Sequence, residues 1–198
     1  MTAAIDDNGM GALGAAGRRY NGVAMALHWV TALFVILILG TALAMTPLSE
    51  GGRTSDTLVM LHASLGFSVL ILTLMRIGWR LTNRPPKLPG GMPAAERWGA
   101  RIAHVLFYLL LIVIPMGGWV VASVTPDQPP VQWFGVAELP RLPPPPPEQQ
   151  ALVAERVASL HGTLGYVMLG LVALHIAAAL RHALILRDGV FARMWPMR

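Results

Sequence analysis

Apolar residues fall into four long runs separated by polar or proline-rich segments. The runs cover about residues 27–46, 58–79, 103–124 and 160–184. Each is about 20 residues or more in length, which is what a helix needs to cross the hydrocarbon core of a bilayer. The pattern therefore predicts an all-α protein, an integral membrane bundle of four helices.

The segments between the runs differ in character. Residues 1–19 are predicted to form an N-terminal tail, and residues 20–198 a single transmembrane domain. The loop 125–157 contains prolines at 143–147, which predict a stiff extended stretch. Trp133-Phe134 in the same loop are typical of an interfacial anchor or, alternatively, of a docking site. Within the third run, Pro115 and Gly117-Gly118 predict a bend.

The first run has a second interpretation. Arg18-Arg19 followed by an apolar stretch and Ala42-Leu43-Ala44 resembles a cleavable export signal. The run is long for such a signal, and a discarded segment has no need of the costly His28. We therefore favour a retained transmembrane helix.

Composition agrees with a membrane protein and narrows the chemistry. The chain has 198 residues, of which 55% are hydrophobic and 13% charged, and its mean hydropathy is +0.56. The absence of cysteine excludes disulfides, cysteine-ligated iron–sulfur clusters and thioether-attached haem. The net charge of +5 comes from residues between the apolar runs, so these residues are not expected to form a basic face. Nucleic-acid binding is therefore not expected either.

The basic residues predict the orientation. Of the 15 Lys and Arg residues, all but Arg53, Arg141 and Arg156 fall on one side of the four-span arrangement. By the positive-inside rule, both termini and the basic connector near 80–101 are cytoplasmic. The expected location is the bacterial inner membrane, with the loops 47–57 and 125–157 facing outward.

All six histidines lie in the spans or at their ends. His161 and His175 are 14 residues apart on the fourth span, which corresponds to about 21 Å along a helix and nearly the same helix face. His62 and His161 are the two histidines at the depth that we call the outer level. Histidines facing the interior of a membrane bundle are costly and indicate function.

The inner level, at the other end of the bundle, holds more histidines than one site needs. Depth alone leaves His104, His175 and His182 as partners for His28. We prefer His175, because it shares the face of His161. His104 and His182 are expected to hydrogen-bond to lipid headgroups, haem propionates or backbone groups.

Two imidazoles on different helices at one depth are suited to the axial positions of a haem iron. Zinc and copper sites are disfavoured, because two imidazoles without Cys, Asp or Glu are too few ligands. Met60, Met116 and Met168 are alternative haem ligands, although buried methionines usually fill gaps. The opposing interpretation is that the histidines form hydrogen bonds between helices of a haem-free transporter or assembly factor.

Arg76 repeats the spacing of the fourth span, because it follows His62 by 14 residues. It is a candidate cofactor-binding residue that neutralises a haem propionate, or else an interfacial arginine whose side chain reaches the membrane surface. Gly66, Gly165 and Gly170 allow close approach, either of neighbouring helices or of a porphyrin.

At these residues the sequence resembles the prokaryotic cytochrome b561 family of four-helix dihaem membrane proteins. The matching stretches are RYNGVAMALHW at 19–29, LHASLG at 61–66, LMRIGWRL at 74–81, HVLFY at 104–108, PMGGW at 115–119, LHGTLGY at 160–166, LHIAAALRH at 174–182 and RDGVFARM at 187–194. The long N-terminal tail and the proline-rich outer loop depart from the family.

The resemblance implies two haems b. His28 and His175 would ligate the inner haem iron, and His62 and His161 the outer one. Within the family, the activity that fits best is superoxide oxidation coupled to ubiquinone reduction, a superoxide:quinone oxidoreductase in contact with membrane lipid and the quinone pool. No catalytic residue is assigned. The rival function is a haem b anchor of a multisubunit periplasmic oxidoreductase such as a hydrogenase, which would have a periplasmic redox partner.

Overall fold

The computed structural model describes residues 19–50, 56–86, 91–125 and 130–196, and for 46–50 the backbone only. Four helices, α1 (Gly22–Glu50), α2 (Asp56–Thr82), α3 (Ala94–Val124) and α4 (Pro147–Leu180), account for most of these residues. A π-helical turn, Arg181–Leu186, continues α4, and a 3₁₀ turn, Phe191–Arg193, follows. All four helices are long and apolar enough to cross a membrane, which confirms the predicted four-helix membrane bundle. The predicted tail lies outside the described residues except for Arg19.

The helices are longer than the apolar runs that predicted them. The helix α4 begins at Pro147, so the last part of the predicted 125–157 loop is helical, and α3 begins at Ala94 within the predicted basic connector. Proline is well suited to the first turn of a helix, because that position needs no backbone N–H. Hydropathy indicates only the part of a helix that lies in lipid, and these helices extend beyond the apolar segment at their ends.

The inner ends of α1 and α2 are joined by one side chain. Asn21 caps α1 by accepting the backbone N–H of Ala24 at 2.8 Å. The same Oδ1 accepts the indole N–H of Trp79 on α2 at 3.1 Å. The start of the first helix is thereby fixed to the end of the second.

The C-terminal segment folds back onto the start of α1. The Trp29 indole donates to the carbonyl oxygen of Met194 at 2.7 Å, and the backbone N–H of Tyr20 donates to Arg193 at 3.1 Å. Arg19 donates to the carbonyl oxygen of Trp195. Since Trp29 directly follows His28, this segment is anchored beside the inner level.

The core lies midway between the two histidine levels. Val35, Val69 and Met168 are buried, and each follows a histidine of its own helix by seven residues, or about 10.5 Å. Leu110 and Leu111 of α3 complete the buried cluster. Outward residues such as Leu174, which is 66% exposed, are apolar and suit contact with lipid tails.

Consecutive helices make the most extensive contacts: α1 with α2, α2 with α3, and α3 with α4. Gly66 belongs to the first of these, because a Cβ there would lie 3.3 Å from Ile38 Cδ1. Gly165 and Gly170 are different, since none of the described residues has a side chain within 4 Å of the position that a Cβ would take. The helix-packing interpretation therefore holds for Gly66 but not for the two glycines of α4.

Candidate functional site

The structure brings together the histidines that depth and helix face had paired. At the outer level, the ring centroids of His62 and His161 are 6.0 Å apart, with ring planes at 73°. At the inner level, His28 and His175 are 6.3 Å apart, with ring planes at 68°. In each pair one ring comes from α4, and it faces α2 at the outer level and α1 at the inner level.

Both separations match what one metal ion held between two imidazoles requires. An imidazole nitrogen binds a transition metal at about 2.0 Å and lies about 1.1 Å from its ring centroid, so the two centroids would be about 6.2 Å apart. Among the residues that the structure describes, no group of three or more His, Cys, Asp or Glu side chains lies together in a metal-binding arrangement. The donor set thus suits an ion whose other ligands come from a cofactor, as in haem.

Hydrogen bonding fixes the tautomer of His161. Its Nδ1 lies 2.9 Å from the carbonyl oxygen of Ile114 on α3. A carbonyl oxygen can only accept, so Nδ1 carries the proton and the lone pair is on Nε2. A histidine ligand in a metalloprotein is commonly held by this kind of contact.

His62 is held in the same tautomer by a hydroxyl group. Its Nδ1 lies 3.1 Å from Oγ1 of Thr41 on α1. The Thr41 hydroxyl already donates to the carbonyl oxygen of Ile38 at 2.8 Å, so towards His62 it acts as acceptor. Both outer imidazoles therefore have Nε2 lone pairs available for a metal.

The His161 ring lies against two glycines of α3. A Cβ on Gly118 would lie 3.0 Å from His161 Cε1 and 3.4 Å from Nδ1, and one on Gly117 would lie 3.8 Å from Nδ1. A side chain at Gly118 would displace the imidazole, whereas a Cβ at Gly117 would make an ordinary van der Waals contact with it. The sequence predicted a bend here and missed this role, although a Gly-Gly pair inside an apolar helix was a visible signal for a close approach.

At the inner level, the Nδ1 atom of His28 contacts a hydrogen-bond donor, an arginine, whereas the outer histidines contact acceptors. Its Nδ1 lies 3.4 Å from a terminal nitrogen of Arg76 on α2. The guanidinium can only donate, so Nδ1 acts as the acceptor in this long contact. His175 packs edge-on against Phe107, with centroids 5.2 Å apart.

Two arginine side chains lie against Tyr108 of α3, near the inner histidine pair. The guanidinium carbons of Arg76 and Arg80 lie 5.6 and 5.9 Å from the centre of the Tyr108 ring, within cation–π range. His104, one turn earlier on α3, is close enough to His28 and His175 for their charges to interact. Arg76 is therefore partly buried at the inner level, where its guanidinium lies against Tyr108.

His182 is occupied elsewhere. Its Nδ1 lies 2.7 Å from Oδ2 of Asp188, beyond the end of the fourth span. Partial burial raises the pKa of the Asp188 carboxyl, but the Val190 N–H and His182 outweigh it, so that the pKa lies below its ordinary value. This contact sets His182 apart from the two facing pairs.

Four apolar helices that carry facing imidazoles at two depths define the chain as a multi-pass membrane protein with a histidine-lined interior. The family model described as prokaryotic cytochrome b561 matches residues 19–197. The chain belongs to this family of membrane electron-transfer proteins, which bind haem b.

Relatives cover nearly the whole chain. Cytochrome b561 homolog 2 of Escherichia coli (strain K12) is 30% identical over 177 residues, which are 89% of this chain and 90% of the relative. The probable superoxide oxidase CybB of Yersinia pestis is 26% identical over 188 residues, 91% of this chain and 98% of the relative. Cytochrome b561 homolog 1 of Escherichia coli (strain K12) is 25% identical over 180 residues, with coverage of 91% and 98%.

Proposed function

We propose that this protein carries two haems b, one at each histidine level, and transfers single electrons between the periplasmic side of the bacterial inner membrane and the quinone pool. In this orientation both termini are cytoplasmic. The observation that carries the proposal is the pair of ring separations, 6.0 and 6.3 Å, each suited to one iron between two imidazoles. Bound haem would supply one-electron chemistry by alternating between ferric and ferrous iron.

The chain's own residues would hold and separate the two centres. His62 and His161 present Nε2 at the outer level because Thr41 and Ile114 accept their Nδ1 protons. The buried layer of Val35, Val69 and Met168 lies between the levels and excludes water from the route.

Arg76 fits a propionate of the inner haem. If His28 binds iron through Nε2, its Nδ1 carries a proton, and Nδ1 and the guanidinium would then both be donors. Their 3.4 Å contact would give way, and the guanidinium, which also has a hydrogen bond to Tyr108, would have a terminal N–H free for a further acceptor. A propionate carboxylate would supply that acceptor, because it pairs well with a guanidinium.

The reaction that we propose is the oxidation of superoxide by ubiquinone. Two superoxide ions would each give up one electron at the outer level and leave as dioxygen. One quinone would take up both electrons, together with two protons from water, and become quinol. The support for this substrate is the similarity to the probable superoxide oxidase of Yersinia pestis.

A second candidate is an anchor subunit that takes electrons from a larger periplasmic oxidoreductase, such as a hydrogenase. The outer loop favours this candidate, because Phe134 and Val136 in it are apolar and are 40% and 82% exposed. Purification under mild detergent would separate the candidates. An anchor should co-purify with a partner subunit, whereas a superoxide oxidase should reduce quinone alone.

The decisive experiment is haem quantification per polypeptide, with a reduced-minus-oxidised spectrum. We expect two haems b in the wild type, one in His62→Ala and two in the matched control His182→Ala. The wild type should also reduce ubiquinone when superoxide is supplied. A colourless wild-type protein would refute the proposal and favour a haem-free transporter or assembly factor.

A further inference from the structure

The outer loop is attached to α2 by hydrogen bonds to buried serines. It contains a two-stranded hairpin, β1 (Gln132–Trp133) and β2 (Ala137–Glu138), which we call the outer hairpin. The Phe134 N–H donates to Ser64 Oγ at 2.8 Å, and the Trp133 indole donates to Ser68 Oγ at 3.0 Å. Ser64 is fully buried and Ser68 is 7% exposed.

The following stretch of the loop is attached to α3 in the same way. The Trp119 indole donates to the carbonyl oxygen of Pro140 at 2.8 Å, and the Leu142 N–H donates to Ser123 Oγ at 3.0 Å. One segment, residues 132–142, therefore bridges α2 and α3.

The attachment to Ser64 lies close to the depth of the outer histidine pair. Ser64 is two residues beyond His62 on α2, about 3 Å further along the helix axis. Non-helical backbone at such a depth is tolerated in a membrane protein when protein buries it and satisfies its polar groups. The serine and tryptophan contacts do both.

The same attachments adjoin the groups that hold the outer imidazoles. Trp119 directly follows Gly118, whose position lies against the His161 ring. Trp119 also packs edge-on against Phe67 of α2, with centroids 5.8 Å apart. A shift of α3 relative to α2 would therefore move the surface that supports His161 away from His62.

We propose that residues 132–142 form a clamp that positions the outer imidazole pair and shields it from water. The clamp holds α2 and α3 at the spacing at which His62 and His161 share one iron. This inference rests on the proposed outer haem. Because potentials of haem proteins depend on hydrogen bonding and solvent exposure, loosening the clamp should change the outer haem and leave the inner haem unaffected.

The test is the double variant Ser64→Ala/Ser123→Ala, with Thr163→Ala as the matched control. The Thr163 hydroxyl donates to the Ser159 carbonyl of its own helix, so its loss should leave the clamp intact. Each protein is followed by a redox titration that resolves the two haems, and by electron paramagnetic resonance of the ferric state.

We expect the outer midpoint potential of the double variant to fall, because water stabilises the more highly charged ferric state. The resonance of the outer haem should shift, while the inner haem keeps its wild-type potential and signal. The control should match the wild type in both haems. Unchanged outer parameters, or equal shifts in both haems, would overturn the proposal.

A double variant that loses the outer haem altogether and keeps the inner one would also support the clamp. If it fails to assemble with either haem, Trp119→Phe serves instead, since it keeps a six-membered aromatic ring next to Phe67 but has no indole N–H to donate to Pro140. The same selective fall in outer potential is then expected, and its absence overturns the inference. Failure of the proposed function can be told apart from failure of the clamp, because the wild-type protein itself would then bind fewer than two haems.

Discussion

His161 donates its Nδ1 proton to the carbonyl oxygen of Ile114 across 2.9 Å, and this contact leaves the lone pair of the ring on Nε2. It links the fourth helix to the residue just before Pro115 of the third. The outer site therefore depends on α3 through Ile114 and on α1 through Thr41, although only α2 and α4 supply its imidazoles.

Replacing Gly118 by alanine should disturb the outer site. The new Cβ would lie 3.0 Å from His161 Cε1, closer than the ring tolerates without moving. We expect reduced occupancy or a shifted spectrum of the outer haem, measured as haem per polypeptide, with the inner haem retained. Gly99→Ala on the same helix is the control, because no atom in the described part of the chain lies within 4 Å of its Cβ position. Two intact haems in Gly118→Ala would contradict the prediction.

Thr41→Val should weaken the outer site by a different route. It keeps the approximate shape of the side chain but removes one of the acceptors of His62, the Thr41 hydroxyl at 3.1 Å, and leaves the backbone of Ile38 as the other. The loss of one such hydrogen bond costs about 0.5–1.5 kcal/mol. We expect Thr41→Val to lose the outer haem to apomyoglobin faster than the wild type does. Thr163→Val is the control and should lose it at the wild-type rate. Equal rates in Thr41→Val and the wild type would contradict the prediction.

Arg76→Gln should act on the inner haem. Removing a positive charge beside the centre stabilises ferric iron relative to ferrous, so the inner midpoint potential should fall in a redox titration. Arg181→Gln is the control, because Arg181 forms an exposed ion pair with Glu96 at 3.1 Å and such pairs contribute about 0–1 kcal/mol. A fall in the outer potential alone would contradict the role of Arg76.

Asp188 should make the docking of the C-terminal segment sensitive to acid. Its pKa is lower in the folded protein, so its stabilising contribution is complete above the unfolded pKa of about 3.9 and is lost as the pH falls through the folded pKa. We expect Asp188→Asn to increase hydrogen exchange of residues 187–196 slightly at pH 7. The wild type should approach the variant only below about pH 4. Identical exchange at pH 7 would show that the carboxylate contributes nothing to docking.

Much of the fold was predictable because hydropathy and helical periodicity are local properties. The four helices follow from apolar runs of sufficient length, and the facing of His161 and His175 follows from their 14-residue spacing. The predicted helices were too short at their ends, because polar helical turns outside the membrane leave no hydropathy signal. The predicted bend at Pro115 gave no hint that Gly118 lies against a histidine ring.

Hydropathy, helical spacing and short motifs were enough to predict four membrane spans, a member of the cytochrome b561 family and histidines at two depths. The packing of the helices supplied the rest: Thr41 and Ile114 accept the protons of the outer imidazoles, Arg76 is partly buried beside the inner pair, and the outer hairpin is attached to α2 and α3. These contacts join residues far apart in the chain. Their partners depend on how the helices pack, which no local pattern of residues records.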